Sequence, residues 1–223
     1  MHRSVYNPLT MFGRRLPLFR LFGVRVYLDA SWIPLGLIFA YLFATEVFPQ
    51  AVPDHPTADY WLTAAAMVLG LIASLLWHEL AHVMAARHYG FARPSFTLFL
   101  FGGLPEVPDE PPSAEADLLV ASAGPIASLW LSGALGLVWL LGHLDDWPPL
   151  ALLGLGNLAA LNLLVAIANL LPAFPFDGGR ILRALIWALT SDVRRAARMA
   201  AAVGTAAPIA MLALGVGGLL AGY

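Results

Sequence analysis

The sequence predicts an all-α polytopic membrane protein with about five transmembrane helices, a short interfacial helix and a small membrane-associated β element on the cytoplasmic side. Of its 223 residues, 60% are hydrophobic and only 12% are charged, which is about half the charge of a soluble domain. Uncharged stretches long enough to cross a bilayer recur along the chain. All twelve basic residues are arginines, and they lie before the first span, after the second and after the fourth. The positive-inside rule therefore predicts a cytoplasmic N-terminus.

The overall charge and composition exclude several classes of partner and site. The net charge is −2, so we expect no nucleic-acid partner. The chain has no cysteine, which excludes disulfides and cysteine-based zinc sites. Residues 1–29 contain scattered arginines and no apolar run before a small-residue cleavage site, so no cleavable signal peptide is expected. We expect one transmembrane domain over residues 1–223, with no soluble regulatory domain.

The first part of the chain is expected to hold a surface segment and two spans. Residues 1–29 form a cytoplasmic or interfacial segment, in which Leu21–Tyr27 alternates as a short strand does. The first span is predicted over Ser31–Phe48. After an outer loop rich in proline and acidic residues, the second is predicted over Tyr60–Tyr89, with Gly90 as its C-cap.

Residues 91–116 are expected to contain a strand followed by an acidic cytoplasmic loop. Ser95–Phe101 is too short to cross the membrane as a helix, and it is followed by Gly102 and Gly103. Two interpretations stay open: an extended segment that dips into the membrane, which requires protein or water to satisfy its backbone, or a surface strand.

The second half is expected to supply three further spans and a short interfacial helix. The third span covers Leu118–Gly142, where small residues permit close helix packing. The fourth begins near Pro148 and stays uncharged to Asp177. Ile181–Thr190 is predicted to lie along the cytoplasmic interface as a short helix. Ala196–Gly222, rich in alanine and glycine, is predicted as the fifth span.

Metal-binding chemistry lies inside the second span, in the sequence Trp-His-Glu-Leu-Ala-His from Trp77. His78 and His82 are four residues apart, so on a helix they share one face and can bind one ion. Glu79 is placed where a carboxylate can take a proton from water activated by the metal. Arg87 follows His78 by about 13 Å of helix, so if Arg87 marks the interface both histidines lie at membrane depth. Two histidines hydrogen-bonded within a packed core are the less favoured alternative.

A carboxylate is the natural third ligand for such a pair, because catalytic zinc has three protein ligands and one open position. Asp177 follows about thirty uncharged residues, and Gly178-Gly179 permits a tight turn beside it. The alternative is an interfacial aspartate paired with Arg180. We favour the ligand interpretation because the histidine motif needs a partner.

Two spaced motifs together resemble the site-2 protease family of intramembrane zinc metalloproteases, in its compact prokaryotic branch. The first is His78-Glu79-Leu80-Ala81-His82, and the second is Asn169-x-x-Pro172-x-x-Pro175-x-Asp177-Gly178-Gly179. Two further family landmarks lie between them in the family's order, namely Phe101-Gly102-Gly103 and Ala123-Gly124-Pro125.

The resemblance implies roles for individual residues. The ligands of one Zn²⁺ ion would be His78, His82 and Asp177. Glu79 would be the general base, and Asn169 would hold substrate or the developing oxyanion. Phe101, Gly102 and Gly103 would belong to the substrate-binding region, in which the strand before the two glycines pairs with an unwound substrate, as an edge strand such as Phe96–Phe101 can.

The expected activity is hydrolysis of peptide bonds within or near transmembrane segments of membrane-protein substrates, as in regulated intramembrane proteolysis. The resemblance implies a multi-pass protein of the cell (inner) membrane, with its active site in the lipid bilayer towards the cytoplasmic side. Whether the chain forms a homo-oligomer stays open. Many compact members carry a sixth span and a regulatory domain, whereas this sequence ends at Tyr223, so regulation also stays open.

Two rival functions are weaker. A polytopic metal transporter could use the same three residues as a transit site, but no second histidine-rich span suggests repeated halves. A non-catalytic membrane scaffold has no use for Glu79.

Overall fold

The computed structural model describes residues 15–21, 24–90, 95–99, 102–105 and 111–205. Within these residues four helices are long and apolar enough to cross a membrane. The predicted class, a helical polytopic membrane protein with a small β element, is confirmed. Predictions for residues 1–14, for Phe101 and for residues 206–222 of the fifth span lie outside the described residues.

The β element is a four-stranded sheet in the order β1-β2-β3-β4. Its strands are β1 Arg15–Leu21, β2 Val24–Asp29, β3 Ser95–Phe99 and β4 Gly102–Pro105. β2 pairs antiparallel with β1 and parallel with β3, and β4 pairs antiparallel with β3. Pro17 lies in the edge strand β1 beside a register shift, which is where a sheet tolerates proline.

Two strand predictions are wrong in their bounds. The predicted strand Leu21–Tyr27 is two strands, because Leu21 ends β1 and pairs with Val24 at the start of β2. Gly102 and Gly103, predicted only to follow a strand, begin the separate strand β4. Because β3 is paired on both sides, it is not an edge strand, and the edge on that side of the described sheet is β4.

The four long helices match the first four predicted spans closely. The first is α1 Trp32–Leu42, continued by a π-helical segment Phe43–Val47 and by α2 Phe48–Ala51. The others are α3 Thr57–His88, α4 Ala114–Leu144 and α5 Pro149–Asn169. α5 ends just before the two prolines of the second motif, as expected, because proline cannot continue a helix.

The short helix α6 spans Asp177–Thr190 and begins four residues earlier than predicted. Gly178 and Gly179 therefore lie buried in its first turn, and the expected tight turn there is wrong. A Cβ on Gly178 would collide with the carbonyl oxygens of Leu170 and Leu171. The glycine is needed for a close backbone approach, which in the sequence looks the same as a turn signal.

A further helix covers residues 193–205 of the described chain, three residues ahead of the predicted start of the fifth span. The Arg195 backbone N–H donates to Asp192 Oδ1 at 2.9 Å, so Asp192 acts as the N-cap of this helix. The same bond, together with the nearby arginines, lowers the pKa of the exposed Asp192 carboxyl.

The chain divides into two compact units. One comprises Met1–Leu76, Arg93–Pro108 and Gly133–Ala159, and it contains the sheet. In it, Gly70 lies against Leu158, and Gly154 lies against Thr63, so α3 and α5 approach closely through glycine. The other unit comprises Trp77–Ala92, Asp109–Ser132 and Ala160–Tyr223, and it contains His78, His82 and Asp177.

Candidate metal centre

The second unit brings three of the predicted site residues together. His78 and His82 lie one turn apart on α3, both buried, with their Nε2 atoms 3.2 Å from each other. Asp177, in the first turn of α6, places its Oδ2 atom 3.1 Å from each of those nitrogens. Among the described residues these three form the group whose ligand atoms could hold one metal ion.

The other nitrogen of each imidazole ring is also held. His82 Nδ1 lies 2.7 Å from the carbonyl oxygen of Val120. A carbonyl only accepts, so Nδ1 carries the proton and Nε2 turns a lone pair towards the centre. His78 Nδ1 lies 2.9 Å from Ser128 Oγ, which can accept its proton in the same way. Metal-binding histidines are usually fixed by such a contact at the remote nitrogen.

The donor set fits a zinc ion. With both Nδ1 atoms protonated, two nitrogen lone pairs and a carboxylate oxygen converge, and these acceptors repel one another unless a cation lies between them. Ligand atoms about 2.0–2.1 Å from zinc at tetrahedral angles lie about 3.3 Å apart. The separations of 3.1 to 3.2 Å are close to that value.

The Asp177 carboxyl is disposed to remain ionised. Burial alone would raise the pKa of this carboxyl. In metal-free protein with protonated Nε2 atoms, hydrogen bonds from the two imidazoles to Asp177 Oδ2 outweigh burial and lower that pKa. The interpretation that paired Asp177 with Arg180 is wrong, since Arg180 reaches Asp117 on α4 instead.

One face of α4 supports the whole centre, which the sequence motifs did not predict. Asp117, Val120, Gly124 and Ser128 follow one another at helical spacings of three, four and four, so they share one face. A Cβ on Gly124 would collide with Nε2 of both histidines, so glycine leaves the space in which an ion could sit. The available signal was the spacing of Asp117, Gly124 and Ser128, which places them on one face of a helix.

The remaining predicted residues are placed as follows. Glu79 is buried on α3 beside the first histidine. The Asn169 side-chain amide donates to the Val165 carbonyl one turn earlier in its own helix. Gly102 and Gly103 belong to the sheet of the first unit, and Phe101 lies outside the described residues.

Known proteins are similar to this chain in both sequence and fold. Two proteins named "Putative zinc metalloprotease" are similar to this chain: Rip3 of Mycobacterium tuberculosis is 37% identical over 93% of the chain, and sll0528 of Synechocystis is 35% identical over 90%. The chain covers 52% of each, so it spans about half the length of these curated relatives.

The solved Site-2 Protease from Methanocaldococcus jannaschii superposes with a TM-score of 0.62 and 28% identity, covering 93% of this chain and 86% of that one. Residues 66–144 and 150–213 match peptidase family M50. This chain therefore belongs to peptidase family M50, the family of the site-2 proteases.

Proposed function

We propose that this chain is an intramembrane zinc metalloprotease that hydrolyses peptide bonds within or near the transmembrane segments of membrane proteins. The observation that carries the proposal is the convergence of His78, His82 and Asp177 at 3.1 to 3.2 Å, with Glu79 next to the first ligand in an apolar helix. Membership of the family and the names of its relatives support it.

The proposed chemistry assigns a task to each residue. When bound by the three ligands, one zinc ion would supply Lewis acidity, which polarises the scissile carbonyl and lowers the pKa of water. Glu79 takes a proton from the attacking water and delivers it to the leaving amine. Val120 and Ser128 hold the imidazoles of His82 and His78 in the required orientation.

The substrate must expose its backbone to be cut. A transmembrane helix hides its carbonyls in internal hydrogen bonds, so the client has to unwind locally before hydrolysis. Pairing with a sheet edge would replace the lost bonds. We propose that the edge used is β4, which carries Gly102 and Gly103, instead of the interior strand β3. Asn169 is proposed to hold the substrate or the developing oxyanion.

The proposed setting is the cell (inner) membrane, with lipid bilayer around the four apolar helices. The arginine-rich segments and the N-terminus would face the cytoplasm. The active site would lie in the membrane towards that side. Size measurement in detergent would decide whether the chain forms a homo-oligomer.

A Glu79→Gln variant tests the mechanism. We expect it to keep its zinc and lose cleavage of an epitope-tagged membrane protein that the wild type cuts, by about 10²-fold or more, since the amide cannot accept the proton. Glu115→Gln, which neutralises an exposed acid on α4, is the matched control. Undiminished cleavage by the Glu79 variant would rule out the role given to this residue. Zinc flux through proteoliposomes without any cleavage would instead identify a transporter.

A further inference from the structure

We propose that Asp117, held by Arg180 and Arg183, is a positioning residue that sets the location of the third metal ligand, Asp177. The inference rests on the proposed function, because it assumes that Asp177 binds the metal. None of the sequence motifs indicated this positioning role for the start of α4.

The three charged groups form a compact buried cluster. Asp117 is fully buried, while the two arginine side chains are about one-fifth exposed. Arg183 donates twice to Asp117 Oδ2, from Nε at 2.9 Å and from a terminal nitrogen at 2.7 Å. Arg180 donates to Oδ1 at 3.2 Å. Both carboxylate oxygens are therefore engaged, and each arginine contacts a different one.

The cluster controls the position of Asp177 through α6. Arg180 follows the ligand by three residues and Arg183 by six, so all three belong to the first two turns of one helix. Because the three residues lie in one helix, their backbone positions are fixed relative to one another. Fixing both guanidinium groups against a single buried carboxylate therefore limits both the sliding and the rotation of the turn that carries the ligand.

The same face of α4 connects the cluster of Asp117, Arg180 and Arg183 to the other two ligands. Asp117 is on that face with Val120 and Ser128, which hold the imidazoles of His82 and His78. The helix α4 therefore fixes all three ligands, the two histidines by direct contact and Asp177 through the two arginines of α6. Ligand positions must hold to about 0.2 Å for normal coordination bonds, so a shift of α6 against α4 would weaken binding of the ion.

A purely structural cluster is the competing explanation, and it makes a different prediction. Removing one member of a buried ion cluster always destabilises the fold, because the remaining charges lose their partners. A structural role would lower the thermal midpoint and leave the folded molecules with normal zinc affinity. A positioning role would weaken metal binding in molecules that are fully folded.

The test is zinc affinity of the purified full chain in detergent, measured by competition with a chromophoric chelator, with the Co²⁺ absorption spectrum as a report of ligand geometry. We expect Asp117→Asn to bind zinc about 10- to 100-fold more weakly than wild type, as loss of outer-shell partners does in metalloenzymes. Its Co²⁺ spectrum should change. Glu115→Gln, which removes an exposed charge two residues away, should leave both unchanged.

Single arginine variants keep the proposal testable if Asp117→Asn does not fold. Arg183→Gln removes two hydrogen bonds and Arg180→Gln removes one, so the first should weaken zinc binding more. Wild-type affinity and spectra in the folded fraction of these variants, whatever their thermal midpoints, would overturn the inference. If the wild type binds no zinc, or binds it equally well after Asp177→Ala, the proposed function fails first and the positioning role fails with it.

Discussion

Gly124→Ala tests the structural basis of the metal centre with a single methyl group. A Cβ at this position would lie 2.5 Å from His78 Nε2 and 2.7 Å from His82 Cε1, where ordinary van der Waals contact begins at 3.4 Å. His78 Nε2 would therefore have to retreat by about 0.9 Å, and His82 Nε2, which lies nearer to the added carbon, by more. Their remote nitrogens are tied to Ser128 and Val120, so the rings cannot swing away freely.

The expected cost follows from the ligand bonds. Coordination tolerates deviations of about 0.2 Å, and structural zinc sites bind with about 10–16 kcal/mol over four ligands, or about 2.5–4 kcal/mol per ligand. Loss of one histidine ligand should therefore weaken zinc binding about 10²- to 10³-fold. Strain from the added methyl should also destabilise the fold, by about 1–3 kcal/mol.

The assay is zinc competition with a chelator, combined with cleavage of a tagged membrane protein. Gly133→Ala is the matched control, because it makes the same change in the same helix with nothing within 4 Å of the added carbon. In the control, higher helix propensity should raise stability by about 0.5–1 kcal/mol, and zinc affinity should be unchanged. Equal zinc affinity in the two variants would refute the reasoning.

Two further variants probe the surroundings of the ligands. Ser128→Ala removes the partner of His78 Nδ1 and should weaken zinc binding about 10- to 100-fold; Ser122→Ala, whose hydroxyl bonds a carbonyl of its own helix, is the control, and equal affinities would contradict the orienting role. Gly178→Ala should destabilise the fold by about 1–3 kcal/mol in thermal unfolding, because its Cβ would overlap carbonyl oxygens of the preceding turn. An unchanged midpoint would show that the turn relaxes easily.

The helices and the three ligand candidates could be predicted because their signals are local. Hydropathy over about twenty residues defines a span, and α3, α4 and α5 overlap the second, third and fourth predicted spans. The histidine pair needs only a helix to share one face. Asp177 was identified by chemical need, since no other acid follows so long an uncharged stretch.

The features that were missed depend on contacts between distant segments. Nothing in Gly-Gly-Leu-Pro favours a strand, and β4 exists because β3 lies beside it. Gly178 resembles a turn residue, although packing against the carbonyls of Leu170 and Leu171, just after α5, explains it. The Val120 carbonyl that holds His82 is a backbone group, which any residue would supply, so no sequence pattern can reveal it.

Metal analysis of the purified chain tests most directly whether His78, His82 and Asp177 bind a common ion. Elemental analysis should find about one zinc per wild-type chain, as expected for three ligands around one ion. Asp177→Ala should lose most of that zinc while Glu79→Gln retains it. Wild-type protein without zinc after reconstitution, or an alanine variant with undiminished zinc, would contradict the assignment.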